Sequence, residues 1–180
     1  VITEAIDANS PDSLRAVFNL TSKKNANSIT WGIFQRTAKQ GGLGMLQTLL
    51  ELGKFTINRR YYNSSAIHKV LATGVLDLVK CVLDHGADPD GPKNTESRGA
   101  VLEQPLRVAM QMNRADMVDL LLQRGATLAG HISNNEHTLM KFCREHASKL
   151  DPRIGDLIWA ANVESKLPAA TSCFRKDIKG

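Results

Sequence analysis

Glycines recur in this chain at a fixed interval, and that interval limits what it can fold into. Gly74 follows Gly41 by 33 residues, and Gly86 follows Gly53 by the same 33. The apolar residues between them keep register: Met45, Leu46, Leu49 and Leu50 fall where Leu78, Val79, Val82 and Leu83 fall. That spacing lays one apolar stripe along a helix. Gly74 breaks a preceding helix that carries Ile67, His68, Val70 and Leu71, and Gly86 supplies a left-handed C-terminal cap for the next. The stretch from Ser65 to Asp90 therefore reads as two short antiparallel helices and a reversing loop. One such pair cannot bury both of its faces. The chain must supply neighbours.

It does so in both directions. From Gln104 to Thr127 the pattern returns: Pro105, Leu106 and Ala109 open a first helix, Met117, Val118, Leu121 and Leu122 line a second, and Gly125 ends it. The step from Gly86 to Gly125 is 39 residues, so the connecting segment Gly91 to Glu103, rich in Gly, Pro, Asn and Ser, is an enlarged loop. The ends are weaker copies. Ile2, Ala5 and Ile6 precede a helix start at Ser10-Pro11-Asp12, followed by Leu14, Val17 and Phe18. His137 to His146 places Leu139 33 residues after Leu106, and Asp151-Pro152 starts a helix with Ile154, Leu157, Ile158 and Ala161 on one face.

The expectation is an all-α solenoid of about five stacked antiparallel helix pairs with degenerate end units. The units run approximately 1–27, 28–60, 61–99, 100–132 and 133–166, with a frayed tail at 167–180. Burying four or five apolar side chains per unit, at roughly 1.5–3 kcal/mol each, offsets the ordering entropy only when both neighbours are present.

Composition agrees. At 180 residues there is enough chain for one continuous core, and an aromatic content of 5% weakens an all-β reading. The net charge of +5 leaves an acidic partner or nucleic acid open. The cations are scattered, however, with only Lys23-Lys24, Arg59-Arg60 and Arg175-Lys176 adjacent, so nucleic acid is the weaker of these. No apolar run approaches the ~20 residues of a membrane span. Val1-Ile2-Thr3-Glu4 does not look like a signal peptide, and the missing initiator Met leads us to expect an excised or processed form. Cys81, Cys143 and Cys173 make no disulfide framework, and Cys81 reads as a reduced core thiol. An intracellular setting, cytoplasm or nucleus, is expected.

Chemistry-bearing motifs are sparse. There is no phosphate-binding loop and no nucleophile elbow; Gly41-Gly42-Leu43-Gly44 reads as a helix–helix turn. Asp88 and Asp90 sit in a reversing loop, where Asp forms turns. Cys143 and His146 share a helical face that His131 or His137 could approach, but no C-x-x-C accompanies them. No catalytic residue, metal or cofactor is expected.

The period and the motifs together resemble the ankyrin-repeat family. Ser65 to Val70 gives S-A-I-H-x-V, Gln104 to Ala109 gives Q-P-L-R-x-A, and Ile33 to Ala38 gives I-F-Q-R-x-A. The second helices end in L-D-H-G-A-D, L-L-L-Q-R-G-A and L-L-E-L-G. The likeness is strong from Gly32 to Ala126 and weak outside. His68 is the only histidine in its slot, which holds Gln35, Arg107 and Met140 elsewhere, and Asn113 stands where glycine is usual.

The resemblance implies a binding module, with His68 bracing its turn by hydrogen bonds within and between units. First-helix faces and loop tips would line a groove, and second helices would form the back. The implied contact set begins with Trp31, Lys39 and Gln40 and continues through Arg59, Arg60, Tyr61, Tyr62, Ser64 and Thr73. Lys93, Asn94, Glu96 and Arg98 follow in the long loop, then Gln111, Met112, Arg144 and Glu145. Arg59 to Tyr62 stands out because Tyr, Trp and Arg dominate binding hot spots. The alternative is that one tyrosine packs on the next loop, the arginines are solvated, and Trp31 caps the first interface. The partner implied is a protein or peptide with some acidic character, met by a monomeric domain of a larger protein. An intramolecular scaffolding or regulatory segment is the competing reading.

Overall fold

The computed structural model describes residues 10–20, 26–40, 42–52, 55–61, 64–93, 102–129 and 135–166. Among these, nine helices are seen: α1 (Pro11–Leu20), α2 (Ala26–Gln40), α3 (Leu43–Glu51), α4 (Ala66–Leu71), α5 (Leu76–Asp84), α6 (Pro105–Gln111), α7 (Ala115–Gln123), α8 (Asn135–His146) and α9 (Pro152–Lys166). The fold is all-helical among the described residues; its one β feature is an isolated antiparallel bridge between Tyr61 and Ser64. Gly41 and Gly53, two of the four glycines that set the repeat, lie outside the described residues.

The helices end as their residues dictate. After α5, Gly86 takes a φ of 86°. Its N–H then reaches the Leu83 carbonyl at 3.0 Å, while Ala87 N–H reaches Val82 at 3.1 Å. This closes the last turn with the orphan carbonyls satisfied. Gly125 and Ala126 close α7 in the same way, at 3.0 and 2.9 Å. At the end of α6 the left-handed residue is Asn113, at φ 55°. Its N–H reaches Met110 at 2.9 Å and Arg114 N–H reaches Ala109 at 3.1 Å. Asparagine performs here the capping task that glycine performs after α5 and α7.

Packing builds two rows. α2, α4 and α6 contact one another in succession, as do α3, α5, α7 and α9, with α1 against α3. Within pairs, α2 meets α3, α4 meets α5, α6 meets α7 and α8 meets α9. The apolar stripes meet between rows. Met45, Leu46 and Leu49 of α3, Leu78, Val79 and Val82 of α5, and Met117, Val118 and Leu121 of α7 are all buried in one continuous core.

Polar ties join the loops at successive steps. Asn58 Nδ2 donates to the Gly86 carbonyl at 2.8 Å, and its Oδ1 accepts from Asp88 N–H at 2.7 Å. Asp90 accepts from the Thr127 N–H and hydroxyl at 2.9 and 2.8 Å. Gln104 Nε2 donates to the Thr127 carbonyl at 2.5 Å. On the helix-turn side, Arg114 Nη1 donates to the Gly74 carbonyl at 2.7 Å, and Asn113 Oδ1 accepts from Asp151 N–H at 2.6 Å.

Two departures from strict repetition matter. α2 has 15 residues against six in α4, so it begins well before the repeat register requires. At the far end, the residue eight places into each second helix is Leu50, Leu83, Leu122 and Trp159. Leu50 and Leu83 are buried, whereas Trp159 is 62% exposed beside exposed Val163.

Replacing Asn113 by alanine should cost about 2 kcal/mol or more, since it combines left-handed strain with loss of the Asp151 contact. Glycine at the same position should lose only the contact. Thermal melts of the two variants test this ordering.

Candidate partner-binding groove

The first helices α2 and α4 run side by side, and their C-terminal ends leave an open groove of about 480 Å³. α2 lines it with Gln35, Ala38, Lys39 and Gln40; α4 and its turn supply Lys69, Ala72, Thr73 and Val75. Two ammonium groups and the Gln35 amide stand around a floor of small apolar side chains. No carboxylate lines the groove among the described residues.

Three positions expected to meet a partner come together here: Lys39, Gln40 and Thr73. Thr73 is partly spoken for. Its hydroxyl donates to the Val70 carbonyl at 2.6 Å and accepts from Val75 N–H at 3.2 Å, so it shapes the turn. Sequence reasoning missed Lys69 and assigned Gln35 only to the histidine slot. Lys69 could have been found from its place four residues before Thr73, on the last turn of α4 leading into the turn that holds Thr73.

Trp31 and Tyr61 do not face a partner, and the expectation is corrected for both. Trp31 is 6% exposed and Tyr61 8%. Their rings stack at 4.2 Å between centroids and 5° between planes. Phe34 lies 5.6 Å and Phe55 6.2 Å from Trp31. Four rings with large apolar area release more free energy packed together than exposed. The early start of α2 carries Trp31 to this cluster, and the Tyr61–Ser64 bridge, with backbone bonds of 2.8 and 3.1 Å, holds Tyr61 over it. The Tyr61 hydroxyl is buried without a hydrogen-bond partner among the described residues. Burial pushes its pKa up, opposed by the nearby Arg59 charge.

The remaining positions are spread out. Arg59 is exposed, its guanidinium 5.7 Å from the Tyr61 ring centre, and Arg60 is half-buried. Gln111 donates to the Glu103 carboxylate at 2.8 Å, and Met112 lies against the Gly74 turn. Arg144 is exposed on α8. Tyr62 and Arg98, with Asn94 and Glu96, fall outside the described residues. Of the described positions among these, Arg59, Arg60, Gln111, Met112 and Arg144 do not line the groove.

The histidines hold structure together. A backbone carbonyl can only accept, so the 2.6 Å contact from His68 Nε2 to the Glu103 carbonyl places the proton on Nε2. Neutral Nδ1 then accepts from the Ser65 hydroxyl at 2.7 Å. His68 thus ties its own turn to the loop of the next unit. Gly91 must pass beside it at φ 83°, where a Cβ would stand 3.3 Å from the imidazole. Burial lowers the His68 pKa from 6.5, partly offset by the Glu103 carbonyl bond. His85 Nδ1 donates to the Cys81 carbonyl at 2.8 Å, and burial first, then Asp84 and Glu51, push the Cys81 thiol up to about 11. His146 donates to the Phe142 carbonyl at 3.0 Å and stacks on that ring. No group of three or more metal-ligating side chains occurs among the described residues, and no helix among them is long and apolar enough to cross a membrane. His131 and the side chain of His137 fall outside the described residues.

Comparison with protein-family models and with curated proteins gave no match.

Two measurements follow from these contacts. Tyr61→Phe removes an unpaired buried hydroxyl and should leave stability unchanged or raised, whereas Tyr61→Ala should cost about 3–5 kcal/mol. Denaturant unfolding separates the two. For His68, the neutral form is the one the fold favours. Its contribution is complete above the unfolded value of 6.5 and is lost as pH falls through that value toward the lower folded one. Melting temperature should begin to drop as pH falls below about 7, and His68→Gln should flatten that slope.

Proposed function

We propose that this chain is an ankyrin-repeat domain that binds a protein or peptide partner on its first-helix face. One observation carries the reading. Lys39 and Gln40 from one unit and Thr73 from the next, named from the repeat register as contact positions, line a single groove. Two further findings support it. The helix pairs stack in two rows, and left-handed residues recur at Gly74, Asn113, Gly86 and Gly125. Loop-to-loop hydrogen bonds such as Asn58 to Gly86 and Asp90 to Thr127 hold the units in one arrangement before a partner arrives. A pre-ordered surface loses little conformational entropy on binding. The setting that fits is intracellular.

Trp159 and Val163 favour a second reading, in which the domain also packs within a larger protein. Trp159 exposes apolar area at a register position that is buried in α3 and α5, and exposed Val163 stands one turn beyond it. The two readings use different surfaces and are compatible.

The test is Ala72→Trp, which fills the groove from an exposed position outside the core. Partner capture by the chain, followed by crosslinking, should be lost. Stability should stay within about 0.5 kcal/mol, as for other surface changes. Arg144→Ala, on α8, should leave capture intact. Capture undiminished by Ala72→Trp refutes the groove.

A further inference from the structure

We infer that the groove between α2 and α4 takes an acidic, extended peptide segment, one whose carboxylates flank a small apolar residue. This rests on the binding reading above and names the chemistry of its ligand. Lys39 is exposed and Lys69 half-buried, one on each wall. Neither ammonium is paired with a carboxylate among the described residues, whereas Arg114 pairs with Asp116 at 2.7 Å, Arg153 with Asp151 at 2.6 Å and Arg124 with Asp84 at 2.5 Å, and Lys80, Arg144 and Lys149 are left like the groove lysines. Among the described residues no acidic side chain lines the groove to offset the two charges. The field there is therefore positive, and a groove with low-dielectric walls concentrates such a field.

The floor selects further. Exposed Ala72 and Val75 are compact, over a buried Ala38, so a ligand backbone can approach closely and seat one apolar side chain between the lysines. Val75 is 38% exposed, apolar area that such a side chain would cover. The Gln35 amide offers both a donor and an acceptor to a peptide backbone.

Nucleic acid fits less well. Single strands are held by aromatic faces that stack bases, and phosphate is best matched by the arginine fork. Among the described residues the groove lining contains neither an aromatic residue nor an arginine. Both Trp31 and Tyr61 are committed to the core.

Fluorescence polarisation with the full chain tests this, using three probes of equal length: a labelled Glu/Ala peptide, its Gln/Ala counterpart, and a single-stranded oligonucleotide. The Glu/Ala peptide should bind most tightly. Its affinity should weaken several-fold between about 50 and 500 mM salt. The double variant Lys39→Glu, Lys69→Glu should weaken it at least about tenfold, and Lys39→Gln, Lys69→Gln by less, with unchanged thermal melts. The glutamine pair serves as the readout if charge reversal impairs folding.

Equal binding of the Gln/Ala peptide, tighter binding of the oligonucleotide, or acidic binding indifferent to both lysine pairs overturns the inference. Ala72→Trp separates the two levels. If it abolishes binding of a neutral peptide, the groove reading stands and the acidic preference falls. If it changes the binding of no probe, both fall.

Discussion

A helix of six residues has no independent stability in water, because nucleation costs more than one turn of hydrogen bonds returns. α4 is such a helix, and α6 has seven residues. Both exist because Ala66, Ile67, Val70 and Leu71 on one, and Leu106, Ala109 and Met110 on the other, are buried against neighbouring helices. The rest of the structure depends on this dependence. No helix pair stands alone, so every pair fixes the position of the next, and the row of first helices acquires a defined spacing. The groove between α2 and α4 is a consequence of that spacing.

Apolar burial sets how close the pairs lie, and polar contacts set their register. Asn58, Asp90 and Gln104 each reach from one loop to the next, while Arg114 and Asn113 do so on the opposite edge. His68 adds a link whose geometry requires the neutral imidazole, with Ser65 on one nitrogen and Glu103 on the other. Exposed hydrogen bonds of this kind contribute little individually. Their effect is directional: each permits one loop-to-loop register, which a sliding apolar interface alone would not enforce. A surface built from two units, such as the groove, keeps its shape only under that restriction.

Most of the helical architecture was legible in the sequence. Helix starts at Pro11 and Pro152, the left-handed turn at Asn113 and the buried stripe of each second helix follow from local chemistry that does not depend on distant parts of the chain. The candidate groove was legible in part. Lys39, Gln40 and Thr73 share a groove because repeat register maps directly onto first-helix position. Trp31 and Tyr61 were named as contacts, with packing as the alternative, because an aromatic side chain looks the same in sequence whether it meets a partner or another ring; their burial favours the packing. Their burial depends on α2 starting early and on Phe34 and Phe55 being within reach. Lys69 was passed over because its charge looks ordinary until Lys39 is placed across from it in a groove with no carboxylate among its described lining residues.

The sequence by itself determined the helices, where they stop, and which faces they bury, since periodicity and capping act within a few residues. Tertiary structure alone decided which surface residues became neighbours. It gathered Trp31, Phe34, Phe55 and Tyr61 into one stacked cluster, and it set Lys39 and Lys69 on opposite walls of one groove. The physical reason is range. Hydrogen bonding and apolar spacing along a helix are local, whereas the meeting of two side chains from different units depends on the packing of every element between them.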